Sequence, residues 1–176
     1  MYLISIYFDE ETEKRIRNLI EHVAKATGNS FMLDNQVPPH LTIAAVETKH
    51  EDMLVVRVEE LVKEFHVGEI EWVSIGSFSS KVMYVQPVLS EYLHDMSAVL
   101  SQEFGKMEET IPSPYYQPFH WLPHCTIAKQ LSKEQMQKAF QVLQNEFVPM
   151  KGCITRIGVA KTNPHRDIKV WELGEL

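Results

Sequence analysis

The chain has 176 residues, 44% of them hydrophobic, and a formal charge of −7 at pH 7. A chain of that size can bury a proper core as one domain or one compact pair of lobes, and its acidic balance excludes a broad basic field that would grip duplex DNA by its phosphates. The opening MYLISIYFDEETEK has no basic segment and no apolar run approaches the length of a membrane span, so a cytoplasmic protein off the membrane, and a monomer, is expected.

Tyr2 to Phe8, a β-branched and aromatic run, predicts a strand, and Asp9 caps a helix whose Ile16, Leu19, Ile20 and Val23 share a face. Residues 28–39 read as a loop, and Pro38-Pro39 keeps the chain extended into a strand over His40 to Val46. Thr48 and Glu51 have capping-box spacing and open a helix that turns Leu54, Val55, Val58, Leu61, Val62 and Phe65 inward. A strand over Ile70 to Phe78 closes the first half.

The second half repeats that order. A strand over Val82 to Val88 is followed by Ser90 as a cap and a helix carrying Leu93, Met96, Leu100, Phe104 and Met107. Residues 108–123 hold Pro112, Pro114, Pro118 and Pro123 among aromatic side chains, which forbids a regular helix and predicts a packed surface loop. The next strand runs from His124 to about Leu131, Ser132 and Gln135 form a capping box, and a helix presents Met136, Ala139, Phe140, Leu143 and Phe147. Strands near Ile154 to Ala160 and Ile168 to Leu173 end the chain, joined by a Thr162-Asn163-Pro164-His165 turn.

This pattern predicts an α+β, duplicated two-lobe fold, each half β-α-β-α-β, with mixed or antiparallel sheets, helices outside and a central cleft. Residues 1–176 then form a single bilobal domain with halves near 1–79 and 80–176, between which strands can exchange.

The duplication is also written in a phrase. Pro39-His40-Leu41-Thr42-Ile43-Ala44 returns as Pro123-His124-Cys125-Thr126-Ile127-Ala128, eighty-four residues later. On a strand, alternate side chains share a face, so His40 lies beside Thr42 and His124 beside Thr126, with small Ala44 and Ala128 next in line. If both strands face one cleft, two imidazoles and two hydroxyls surround one ligand. Phosphodiester exchange needs a group that takes a proton from the attacking oxygen and one that gives a proton to the leaving oxygen, and imidazoles titrating near neutrality fill both roles. Threonine hydroxyls can hold the non-bridging oxygens and donate to charge that grows in the transition state.

The paired His-x-Thr-hydrophobic motifs, one in each half of a duplicated α+β chain, resemble the two-histidine phosphoesterase superfamily, which includes the 2′-5′ RNA ligase-like proteins and cyclic nucleotide phosphodiesterases. What the resemblance implies is that His40 and His124 are catalytic and Thr42 and Thr126 bind phosphate. It also implies cleavage of a cyclic phosphodiester without metal or other cofactor, often a 2′,3′-cyclic phosphate at an RNA end, with one histidine activating water and the other protonating the leaving oxygen. Which histidine does which stays open.

Other residues carry weaker signals. Tyr115, Tyr116 and Trp121 could stack on a base of a small nucleotide or single-stranded RNA end, or simply pack their loop down. Lys129 alternates onto the Cys125 face near the strand end, where its long stem could curl to a phosphate or stay solvated. Cys125 and Cys153 lack metal spacing and read as reduced and buried, Cys125 as core rather than nucleophile. His120 and His124 have the i, i+4 spacing of a metal pair, but Pro123 forbids the helix it needs. His22, His50, His66, His94 and His165 read as surface residues. Phosphate-loop, dinucleotide and nucleophile-elbow motifs are absent from the sequence. Two further readings share the site: RNA ligation, which differs by direction, and a non-catalytic binder of phosphorylated nucleotide or RNA ends.

Overall fold

The computed structural model describes residues 1–79, 81–162 and 165–175. The first half gives β1 (Tyr2–Phe8), α1 (Glu10–Thr27), the single turn α2 (Phe31–Asp34), β2 (Leu41–Glu47), α3 (Glu51–Val62) and β3 (Gly68–Phe78). The second gives β4 (Val82–Pro87), α4 (Glu91–Lys106), the two-residue β5 (Ile111–Pro112), β6 (Cys125–Lys129), α5 (Lys133–Glu146), β7 (Met150–Lys161) and β8 (Arg166–Glu172). A 3₁₀ turn at Pro114–Tyr116 follows β5. No helix is long and apolar enough to cross a membrane among the described residues.

The strands pair in the order β5-β2-β1-β7-β3-β4-β6, with β8 also on β7, and every pairing between named strands is antiparallel. The long β7 links the two sides: Ile154–Lys161 pairs with β1 while Met150–Ile154 pairs with β3. Strands therefore cross the sequence midpoint, β3 pairing with β4 and β7 lying between β1 and β3.

The duplication reaches down to the irregularities. Ser5 lies opposite Thr42 on one side and Gly158 on the other, and Tyr84 lies in the same way between Thr126 and Gly76. Each motif strand is bulged at the same place, Ile43 being passed over between Thr42 and Ala44, and Ile127 between Thr126 and Ala128. A second matching pair passes over Thr155 in β7 and Val73 in β3.

These bulges change the facing. An inserted residue puts two consecutive side chains on one side of the sheet. Ile43 and Ala44 both enter the core, as do Ile127 and Ala128, so the alanines do not line the cleft as strict alternation predicts. The same shift carries Lys129 off the Cys125 face. The core also takes Ile4, Ile6 and Phe8 from β1, with Phe8 edge-on to the fully buried Trp72 at 5.1 Å. That leaves Ser5 and Tyr7 on the opposite face, beside the first motif.

Asp9, Ser90 and Ser132 cap α1, α4 and α5, the last with Gln135 in a complete capping box. The box expected at Thr48 and Glu51 does not form: Thr48 Oγ1 accepts from the His50 backbone instead, and α3 starts at Glu51 without a side-chain cap. Phe140 points outward at 49% exposure, and Cys153 is half-buried rather than buried; both cysteines are free. The predicted loop over 28–39 contains α2, and of the expected turn at 162–165, Asn163 and Pro164 lie outside the described residues.

Candidate active site

His40 stands one residue before β2 and His124 one residue before β6, each behind a buried proline that fixes the approach of the chain. The two rings make the same bond. His40 Nδ1 donates to the Pro38 carbonyl at 2.8 Å, and His124 Nδ1 to the Leu122 carbonyl at 2.9 Å. A carbonyl can only accept, so the proton sits on Nδ1 and each neutral ring presents a bare Nε2.

The curl of the sheet brings the motifs together. Apart from short β5, β2 and β6 end the strand order, yet their Cα atoms approach within 8 Å with no ladder between them. Burial pushes the Cys125 thiol up to about 12, as suits a core thiol rather than a nucleophile.

Residues 111–121 join the two motifs. Pro112 pairs with Val46, the Ser113 amide bonds to the Ala45 carbonyl, and Trp121 Nε1 donates to the Thr42 carbonyl at 3.0 Å. Thr42 is consequently only 7% exposed, its hydroxyl 3.3 Å from Ser5 Oγ. Thr126, across from Tyr84, is more open. A cleft of about 530 Å3 opens beside His124, lined by Phe78, Ser113, Tyr115, Tyr116 and Trp121.

The environments of the two histidines differ. His40 stacks on His165 with centroids 5.7 Å apart and planes 27° apart, and lies 6.5 Å from the Tyr7 ring. Tyr7 donates to Asp167 Oδ1 at 2.9 Å, and His165 Nε2 lies 3.3 Å from the same oxygen. His124 is instead packed by Phe78 at 4.7 Å and Tyr84 at 5.4 Å. Burial pushes His40 down to about 4, with positive charge on His165 and His124 adding to it and the Pro38 carbonyl and Asp167 carboxylate opposing it. Burial likewise holds His124 below the ordinary imidazole range against the pull of Leu122. Asp167 is held below the usual carboxylate range by His165 and the Tyr7 hydroxyl, and burial raises the Tyr7 phenol.

The remaining expected residues are scattered. Tyr115 is 79% exposed at the cleft rim, whereas Trp121 is buried with its indole N–H committed to Thr42. Lys129 places its ammonium 4.6 Å over the Phe31 ring. His165 is not a surface residue: it is enclosed against His40, and His66 and His94 are half-buried. Sequence reasoning missed Ser5, Tyr7, Phe78, Tyr84, His165 and Asp167. The polar alternation of Ser5 and Tyr7 in an otherwise apolar strand is the one signal that marks a second working face. Among the described residues, no three His, Cys, Asp or Glu side chains gather as metal ligands would.

The fold matches solved structures over almost the whole chain. A crystal structure of a phosphoesterase superposes with a TM-score of 0.59 at 18% identity, covering 99% of this chain and 98% of that one. LigT of E. coli complexed with 3′-AMP gives 0.58 at 15%, over 99% and 98%. TT0787 of Thermus thermophilus gives 0.61 at 12%, over 99% of both chains. No curated protein matches by sequence. Residues 7–166 match the 2′-5′ RNA ligase superfamily, and the chain belongs to that family.

Proposed function

We propose that the protein is a metal-independent phosphodiesterase that opens a cyclic phosphodiester, the 2′,3′-cyclic phosphate of a nucleotide or RNA end, by two-histidine acid–base catalysis. The observation that carries this reading is the shared Nδ1 lock of His40 and His124, which aims two bare Nε2 atoms from pseudo-symmetric strands beside Thr42 and Thr126. Water attacks phosphorus as one Nε2 takes its proton. The bond from phosphorus to one ribose oxygen breaks as that oxygen takes a proton from Nε2 of the other ring, which enters the step as an imidazolium, leaving a phosphomonoester. Each imidazole contributes on the order of 10²- to 10⁴-fold.

The substrate is a small nucleotide or a single-stranded RNA end in the cytoplasm, met by a monomer. LigT of E. coli has been crystallised with 3′-AMP, ATP and NADP+, which supports a nucleotide as the ligand of this fold. The cleft beside His124 offers Tyr115 and Tyr116 to a base. Family membership favours a second reading, ligation, in which a 5′-hydroxyl replaces water and the same proton transfers run toward a 2′-5′ bond.

The test is hydrolysis of 2′,3′-cyclic AMP by purified protein in EDTA. Conversion to a single phosphomonoester, lost in both His40→Ala and His124→Ala, is expected. Full activity in both variants, or dependence on added metal, contradicts the reading.

A further inference from the structure

The duplication leaves one strand without a counterpart. Met150–Ile154 of β7 pairs with Gly68–Trp72 of β3, and beyond that shared stretch β3 runs on beside β4 and β7 runs on beside β1. The other edge of β7 is covered there by β8, which sets Trp171 opposite Ile157, Val170 opposite Gly158 and Lys169 opposite Val159. The corresponding edge of β3, along Ser74–Phe78, has no strand against it among the described residues. Leu173 N donates to the Thr155 carbonyl at 2.8 Å, so by alternation Ile157 and Val159 turn their backbone groups toward β8. With Gly76 in the place of Gly158, Ile75 and Ser77 turn theirs to the open edge, where the Ile75 carbonyl meets only the hydroxyl of its neighbour Ser74 at 3.2 Å.

A strand edge left open to water is usually guarded by charged side chains or proline. This one reads Ser-Ile-Gly-Ser-Phe, with Ser74 and Ser77 exposed, and no residue from Val73 to Ser79 is charged or a proline. The strand β8, at another margin of the sheet, carries Arg166, Asp167, Lys169 and Glu172. We propose that the Ser74–Phe78 edge of β3 is a docking site for another protein, which adds an extended antiparallel segment there as β8 adds to β7.

The fold itself supplies the pattern for the occupant, a segment as long as Ser74–Phe78 with a small or β-branched apolar side chain opposite Gly76. Val170 fills that place on β7, where a Cβ added to Gly158 would stand 3.0 Å from Val170 Cγ2, and on β3 the Tyr84 ring covers Gly76 and offers the segment an apolar contact. A second copy of this chain fits less well, because each copy brings a formal charge of −7. The edge ends at Phe78, whose ring packs on His124 at 4.7 Å, so the docked segment borders the cleft. The proposal goes beyond the two-histidine reading and does not rest on it.

The experiment is NMR on the intact protein with a synthetic peptide of the sequence Arg166 to Leu173 as the probe, since that is the strand the equivalent edge already accepts. The amides of Ile75 and Ser77 are expected to shift and to exchange more slowly, with saturation below about 1 mM peptide, while a scrambled peptide leaves them unmoved. N-methylation of the peptide at its Lys169 and Trp171 positions, whose amides face β3 in this pairing, should weaken binding at least about tenfold, and N-methylation at Val170 and Glu172 should not. Unmoved Ile75 and Ser77 amides, equal losses with both N-methylated peptides, or shifts confined to Ile157 and Val159 on β7 overturn the docking site. Ile75 and Ser77 shifts that follow protein concentration alone, with a dimer mass in light scattering, overturn the occupant and make it a second copy. These amide signals are read without catalysis, so failure of the functional reading is seen separately.

Discussion

His40 and His124 are held by one device: each ring gives its Nδ1 proton to the carbonyl two residues back, Pro38 at 2.8 Å and Leu122 at 2.9 Å. Two matching locks on strands with matching bulges leave two bare Nε2 atoms in unlike surroundings. The tautomer is therefore fixed before substrate arrives. Proton-detected 15N spectra at pH 7.5 should show both rings as the Nδ1–H form. His40→Ala and His124→Ala should each cost about 10²- to 10⁴-fold in kcat, and the double variant little more than the worse single one, because the pair acts as a unit.

The pH dependence follows from burial. Burial pushes His40 down to about 4 and holds His124 below the ordinary imidazole range, so kcat/KM rises as the ring that acts as base becomes neutral and falls as the ring that acts as acid loses its proton. The profile is a bell displaced to the acid side, and a bound phosphate, favouring both charged rings, moves the kcat profile upward from it. Stability follows the same sign. A lowered folded-state pKa gives stability that is present above about 6.5 and lost as pH falls toward 4, so the urea midpoint should drop across that window, less so in His40→Asn. A kcat/KM limb rising above pH 7 contradicts this account.

Gly76 and Gly158 hold equivalent places beneath the motif neighbours. A Cβ on Gly76 would stand 2.5 Å from the Tyr84 ring, which packs on His124. Gly76→Ala should lower kcat at least about tenfold and destabilise the fold by about 1–3 kcal/mol, read by thermal melting. In Gly105→Ala, where a Cβ meets nothing within 4 Å in α4, activity should be unchanged and stability raised by about 0.5–1 kcal/mol.

Tyr115 and Trp121 should separate cleanly. Tyr115, 79% exposed on the cleft rim, can stack on a base, so Tyr115→Ala raises KM for 2′,3′-cyclic AMP with melting unchanged. Trp121→Phe strands the Thr42 carbonyl and costs about 1–3 kcal/mol of stability together with activity. Equal melting losses in the two variants would contradict the assignment of Trp121 as the residue that seats Thr42.

Much of this was legible in the chain because the carriers are local. Strand periodicity, the Ser132 and Gln135 box and the repeated His-x-Thr phrase all act within a few residues. What was hidden depends on register. A bulge at Ile43 and Ile127 leaves no mark in composition, yet it sends Ala44 and Ala128 into the core and turns Lys129 to the other face. His165 and Asp167 reach His40 only because β7 pairs with both β1 and β8, a long-range pairing that no local pattern announces. The box at Thr48 failed for the opposite reason, a sound local signal overridden where the chain leaves β2.

The central claim is that both motifs serve one phosphate, and a crystal structure with inorganic phosphate or 3′-AMP tests it most directly. The account predicts one phosphate with Nε2 of His40 and of His124 and the hydroxyls of Thr42 and Thr126 each about 2.6–3.2 Å from its oxygens. Imidazoles too far apart for one phosphate to bridge, or an anion bound at a single motif, would contradict it.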